Sequence, residues 1–333
     1  MKKNFIKKLF TILMITAMLT TIALNTEVKA TTDNTAISND EIDEIMEKIS
    51  TEEKIMKYDA LTNETTEVDM DEIRNVLASQ NRGNEDKTEA NIVDLSKVKV
   101  NYLPTAEEKG TSLNPRSGAQ LISNTRAVPY LQTCRITVYS TNINQTVSMG
   151  TATMVGSKLA LTAAHCVFDP STKQAYSNWT IYPGYNNGTY YGTATGWSTV
   201  YYSNDWMNDT TNSEADWALC VLNTSPGVGY IGVVKYTIGF TGLPITLLGY
   251  PANSSYGYTG YQQYSSSGVV SIVLTNRFFH TAFQCLGFSG GPVLRSDNYV
   301  AGVHTGSADS TGAGHAVRIN QNIFDLINNL NNT

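Results

Sequence analysis

Gly287-Phe288-Ser289-Gly290-Gly291-Pro292 sets a serine among glycines, which lets the backbone turn tightly and leaves the hydroxyl oxygen unobstructed. Such a serine can stand on a strand-to-helix turn of an alternating α/β chain or between the strands of an all-β one, and the flanking sequence decides which. From residue 112 onward the chain is rich in Tyr, Thr, Gly, Ser and Asn. Its short apolar runs are separated by turn residues about every ten positions, as in a β-sandwich or β-barrel. The pattern predicts strands at 133–140, 150–155, 159–162, 179–182, 197–202 and 217–222, and a second set at 231–234, 246–249, 268–274, 278–283, 292–294, 299–304 and 316–319. Ile323, Leu326, Ile327 and Leu330 then fall on one face of a terminal helix. These six and seven runs allow an all-β fold of two β-barrels with a C-terminal helix, a size that about 220 residues can fill.

The preceding sequence is different in kind. Lys2, Lys3, Lys7 and Lys8 lead into an uncharged apolar run and then Val28-Lys29-Ala30, the pattern of a signal peptide, here 1–30. Residues 31–111 hold 20 Asp and Glu against 9 Lys and Arg, whereas 112–333 hold 8 against 9. The net charge of −6 therefore describes neither part. The acidic stretch 31–111, with Ile42, Ile45, Met46 and Ile49 at helical spacing, reads as a helical or disordered pro-segment. Residues 112–333 read as the folded domain. Nothing basic or repeated suggests nucleic acid as a partner, and no membrane association is expected once the signal is removed.

Two further motifs precede the serine in the chain. Leu161-Thr162-Ala163-Ala164-His165-Cys166 follows a predicted strand, and Asp216 opens the apolar strand Asp216-Trp217-Ala218-Leu219-Cys220-Val221-Leu222. The G-x-S-x-G pentad also occurs in α/β-hydrolases, but there the acid and the histidine follow the serine. With the order His, Asp, Ser, the chain resembles the chymotrypsin-like serine proteases, in their bacterial glutamyl endopeptidase branch. The resemblance implies two six-stranded antiparallel β-barrels, and a secreted serine endopeptidase made as a zymogen and acting as a monomer on polypeptides without a cofactor. It assigns His165, Asp216 and Ser289 as the catalytic triad and the N–H groups of Gly287 and Ser289 as the oxyanion hole.

The same resemblance addresses specificity. Trypsin-like enzymes place an Asp six residues before the nucleophile, and Phe283 stands there instead. Gly302-Val303-His304-Thr305-Gly306 resembles the stretch whose histidine binds a substrate carboxylate in glutamyl endopeptidases, with His315 near the facing wall. Gln284 replaces the Thr usual in those enzymes. Cleavage after Glu or Asp is therefore expected, and the only glutamate from residue 112 onward is Glu214. The stretch Ile122-Ser123-Asn124-Thr125-Arg126-Ala127-Val128-Pro129-Tyr130 resembles the early mature region of that branch. It implies a new N-terminus near Ser112, just after a self-cleavage site at Glu107-Glu108.

Cys134, Cys166, Cys220 and Cys285 could form up to two disulfides with three possible pairings. Where the family would place partners for Cys166, near Gly150, and for Cys285, beyond His304, there is no cysteine, and no disulfide is assigned. The cysteines lack zinc-site spacing and the four histidines are scattered along the chain, so no metal is expected. Two other classes remain: an inactive protease-fold binding module, and an enzyme of the same mechanism with a different preference set by Phe283 and Gln284.

Overall fold

The computed structural model describes residues 53–80, 87–103, 118–140, 145–235, 240–307 and 312–332. The expected signal peptide, the helical pattern from Ile42 to Ile49, Glu107-Glu108 and Ser112 lie outside the described residues.

The N-terminal acidic stretch contributes β1 (Ile55–Asp59), β2 (Glu64–Glu67), helix α1 (Met70–Ser79) and β3 (Val100–Tyr102), and β4 (Gln120–Leu121) follows. The first barrel comprises β5 (Thr133–Ser140), β6 (Gln145–Gly156), β7 (Leu159–Thr162), β8 (Thr180–Pro183), β10 (Trp197–Ser203) and β11 (Ala218–Leu222). Between β8 and β10 stands the short strand β9 (Thr189–Tyr191). The barrel's strand order is β10-β11-β7-β6-β5-β8, and an antiparallel bridge from Ile181 to Thr195 returns β8 to the chain entering β10. A short helix α2 (Asn204–Asn208) stands between β10 and β11.

The second barrel comprises β12 (Pro244–Gly249), β13 (Tyr264–Val273), β14 (Arg277–His280), β15 (Pro292–Leu294), β16 (Val300–Ser307) and β17 (Gly314–Arg318). Its order is β12-β15-β16-β17-β14-β13, closed by pairing of β12 with β13. Two six-stranded barrels thus stand as expected. Helix α3 (Gln321–Asn332) begins at Asn320, whose side chain accepts the Ile323 N–H at 3.0 Å and so satisfies one of the orphan donors of the first turn. Ile323, Phe324, Leu326 and Ile327 are buried against the first barrel's core.

Two expectations change. The 231–234 run is not a strand of either barrel. It is the connection between them, where Val234 bridges Lys87 and Val233 bridges Val300, so its backbone is satisfied on two sides without joining a sheet. The acidic stretch does contain a helix, capped by Asp69, whose carboxylate accepts the Glu72 N–H at 2.9 Å. It also contains strands: β1 pairs antiparallel with β10 from Ile55 opposite Ser203 to Asp59 opposite Thr199, and β3 pairs with β9.

Glu53, just before β1, is buried. Its carboxylate accepts from Trp217 Nε1 at 3.3 Å and Asn320 Nδ2 at 3.3 Å. Burial pushes its pKa up to about 7 and nearby Asp205 adds to this, against hydrogen bonds from Ser203, Trp217 and Asn320. An unfolded glutamate ionises near 4.5. Between these values the unfolded chain has released a proton that the folded chain retains, so the stability Glu53 contributes is present below 4.5 and lost as pH rises to about 7. Glu53→Gln removes that ionisation. Urea unfolding should show little difference from the parent at pH 4.5 and a gain of up to about 3 kcal/mol at pH 8; a difference independent of pH would contradict the buried carboxyl.

Candidate active site

The motif around His165 needs small residues because two backbones meet there. Ala163 and Ala164 are fully buried, and a Cβ on Gly290 would lie 3.1 Å from the Ala163 nitrogen. After β7 the chain makes a 3₁₀ turn, Ala164–Cys166, closed by Cys166 N–H donating to Ala163 O at 3.1 Å. Trp179 Nε1 donates to Cys166 O at 2.8 Å and pins the turn from the side.

Asp216, buried ahead of β11, accepts twice from His165. The backbone N–H donates to Oδ1 at 3.0 Å and the ring Nδ1 to Oδ2 at 2.6 Å. Both carboxylate oxygens are engaged, which sets the ring's orientation and places its proton on Nδ1, leaving the Nε2 lone pair available. Burial works against charging the ring. The Asp216 charge, Cys166 and the hydrogen bonds of both to the ring together outweigh burial and hold His165 well above the ordinary histidine value.

Ser289 is half-buried and its loop is fixed from the first barrel. Thr151, on β6, donates its N–H to Ser289 O at 2.8 Å and its hydroxyl to Gly287 O at 2.8 Å, while that hydroxyl accepts the Tyr250 N–H at 3.1 Å. Thr162 closes the set by donating to Thr151 O at 2.7 Å. Gly287 (φ +94°) and Gly290 (φ +78°) adopt left-handed backbone that favours glycine. A Cβ would lie 2.2 Å from Tyr250 O at the first and 2.1 Å from Thr151 O at the second. Among the described residues the N–H groups of Gly287 and Ser289 donate to no protein acceptor. His165 and Ser289 are linked through Cys166, whose thiol donates to Ser289 O at 3.6 Å.

The structure gathers the histidines that the sequence scatters. His304, fully buried on β16, exchanges backbone bonds with the serine loop: Gly290 N–H donates to His304 O at 2.7 Å, and His304 N–H to Gly291 O at 2.9 Å. Its Nδ1 lies 3.1 Å from Nε2 of His280, a residue that sequence reasoning did not single out. His280 faces Gly314 across β14 and β17, where any Cβ would lie 2.2 Å from the His280 ring. His315 Nδ1 pairs with Thr305 Oγ1 at 2.8 Å. Burial, and then the neighbouring histidines, lower His304 well below its ordinary value, and burial followed by His315 lowers His280 to about 4. His315 is lowered by burial and then by Arg277.

Gln284 is half-buried ahead of the serine loop, and among the described residues no hydrogen bond joins it to these histidines. Phe283 stacks edge-on against Tyr256, with ring centroids 5.5 Å apart. All four cysteines are free thiols, three of them buried. Among the described residues no group of three or more His, Cys, Asp or Glu side chains could hold a metal ion.

A family model described as Trypsin matches residues 121–327. A glutamyl endopeptidase of Bacillus licheniformis is 29% identical over 228 residues, covering 64% of this chain and 66% of that protein. A protein of Bacillus subtilis called an extracellular metalloprotease is 28% identical over 214 residues, covering 63% and 65%. The chain spans just under two thirds of the length of these relatives. Among the described residues no side-chain group fits the metal which the second name implies. A solved structure of a Glu endopeptidase, 24% identical with a TM-score of 0.57, covers 67% of this chain and 100% of its own. It establishes the chymotrypsin-like fold.

Two measurements probe this geometry. Thr151→Val keeps the shape and strands Gly287 O and the Tyr250 N–H, so urea unfolding should show a loss of about 1–3 kcal/mol; a change under about 0.5 kcal/mol would mean that the loop is held by other contacts. Following the four imidazoles by NMR against pH should show one titrating above 6.5 and three below it, and a second one above 6.5 would contradict the buried neutral cluster.

Proposed function

The chain belongs to the trypsin family, and we propose that it is a secreted serine endopeptidase that cuts after glutamate or aspartate. The observation that carries this reading is the double hold of Asp216 on His165 beside a serine loop with two uncommitted amides. In the serine-protease mechanism His165 Nε2 takes the proton of Ser289 Oγ as the oxygen attacks the scissile carbonyl, and later passes it to the leaving amine. Asp216 keeps the other ring proton on Nδ1 and stabilises the imidazolium. The amides of Gly287 and Ser289 receive the developing oxyanion, a donor of this kind being worth about 3 kcal/mol. Water then attacks the acyl-enzyme by the same route.

Preference for an acidic side chain rests on His304. Its Nδ1 is satisfied when His280 donates from Nε2, which places the His304 proton on Nε2, the atom that would donate to a substrate carboxylate. The arrival of that carboxylate would favour proton uptake by the imidazole. His315 and Gln284 are the candidate second and third donors. Glu214 is half-buried and paired with Arg277 at 3.4 Å, which protects the one glutamate of 112–333 from the enzyme itself. On this reading residues 1–30 direct export, 31–111 are a pro-segment, and trimming near Ser112 frees an α-amino group that can assist acid recognition.

The test uses peptides differing only at the residue before the cut, with products read by mass spectrometry. Cuts after Glu that vanish in Ser289→Ala are expected, and Asp216→Asn should lower kcat by about 10⁴. Cuts after aromatic residues that vanish in the same variant would keep the mechanism and move specificity to Phe283. Absence of cleavage from every form of the chain would favour a binding module.

A further inference from the structure

We propose that residues 53–80 and 87–103 form a strap that stays docked on the barrels after the chain is cut between residues 103 and 118, giving a two-chain molecule. The inference goes beyond the reading above and depends on neither activity nor specificity.

Four observations carry it. Ile55, Met70, Ile73, Leu77 and Val98 of the strap belong to the same buried apolar cluster as the first barrel, so removing the strap would expose that core to water. The β1 ladder on β10 covers a strand edge that would otherwise present unpaired N–H and C=O groups.

The barrel side is shaped to this occupant. At Gly229 a Cβ would lie 2.2 Å from Asn91 O of the strap, and at Gly232 one would lie 2.6 Å from Thr88 O. Both positions admit the strap backbone only because they lack side chains. Polar groups are matched as well. The buried Trp217 indole donates to Glu53, Asn322 Nδ2 donates to Glu53 O at 3.3 Å, and Arg74 pairs with Asp325 of α3 at 3.4 Å. Lys87 pairs with Asp297 at 3.0 Å, and Asn101 donates to Gly192 O. Without the strap the Trp217 N–H would lose its protein acceptor.

These contacts lie away from the chemistry. Among the described residues no hydrogen bond or ion pair joins the strap to His165, Gly287, Ser289, His304 or His315. Glu53 does meet Trp217, the residue after Asp216, so the strap supports the segment that carries the triad's acid into β11.

The test uses full-length Ser289→Ala protein with a site for a sequence-specific protease placed between residues 103 and 118. After one cut, native mass spectrometry and gel filtration should show both chains in one particle, parted only by denaturant. A strap that elutes separately under native conditions overturns the proposal. Leu77→Asp changes only the strap and should speed its loss from the cut protein at least tenfold; a cut protein that holds the variant strap as firmly would also overturn it, since the shared core would then not be what holds the two chains.

Discussion

Everything at this site depends on one threonine of the first barrel. Thr151 presents an N–H, a hydroxyl and a carbonyl, and each is committed: to Ser289, to Gly287 and Tyr250, and to Thr162. Through it β6 of the first barrel holds the serine loop of the second. The barrels meet here at backbone distance, which explains why Gly290 tolerates no side chain and why the histidine turn is built from alanines, while Gly287 is crowded by Tyr250 and Ala252 of the second barrel itself. A hydrogen bond donated by Thr151 is short, directional and desolvated, so losing it leaves a buried carbonyl unpaired as well as loosening a contact.

How much of this could be read in the sequence follows from what each signal encodes. Both barrels were legible because their strands alternate in character and are punctuated by turn residues, and α3 was legible from its apolar stripe. The triad residues stood out because their motifs are local. The strap was opaque for the opposite reason. β2 is Glu-Thr-Thr-Glu and wholly exposed, and β1 carries a single fully buried residue, Ile55. These strands exist because an edge of β10 is available, which is a property of the partner rather than of their own residues. His280 was missed likewise. Its meeting with His304 depends on the β14-β17-β16 register and on the bare Gly314 opposite, and no spacing along the chain encodes either.

The electrostatics divide the four imidazoles into two kinds. His165 is held by a carboxylate and favours its proton, whereas His280 and His304 are buried against each other and resist theirs. The same residue type thus serves as a base that must charge during a reaction and as a neutral donor that gains charge only when an anion enters. Environment alone separates the roles.

The missing disulfides fit the same geometry. A cysteine at Gly150 would place its Cβ 2.7 Å from Cys166 Sγ, within reach of a bond, but also 2.7 Å from Ser289 O. With Thr151 drawing that carbonyl toward β6, the space beside Gly150 is already taken by the serine loop. Cys166 instead gives its thiol to Ser289 O, a weak contact that ties the histidine turn to the nucleophile's own peptide. Here the barrels are held at the site by directional bonds to backbone carbonyls where a covalent bridge would have required the serine loop to stand further out. The strap adds to that hold at Trp217, which stands between Asp216 and β11. A site without covalent staples therefore draws its rigidity from both sides: Thr151 fixes the nucleophile, and the buried Glu53 with its three donors, Ser203, Trp217 and Asn320, steadies the segment leading into β11 that carries Asp216.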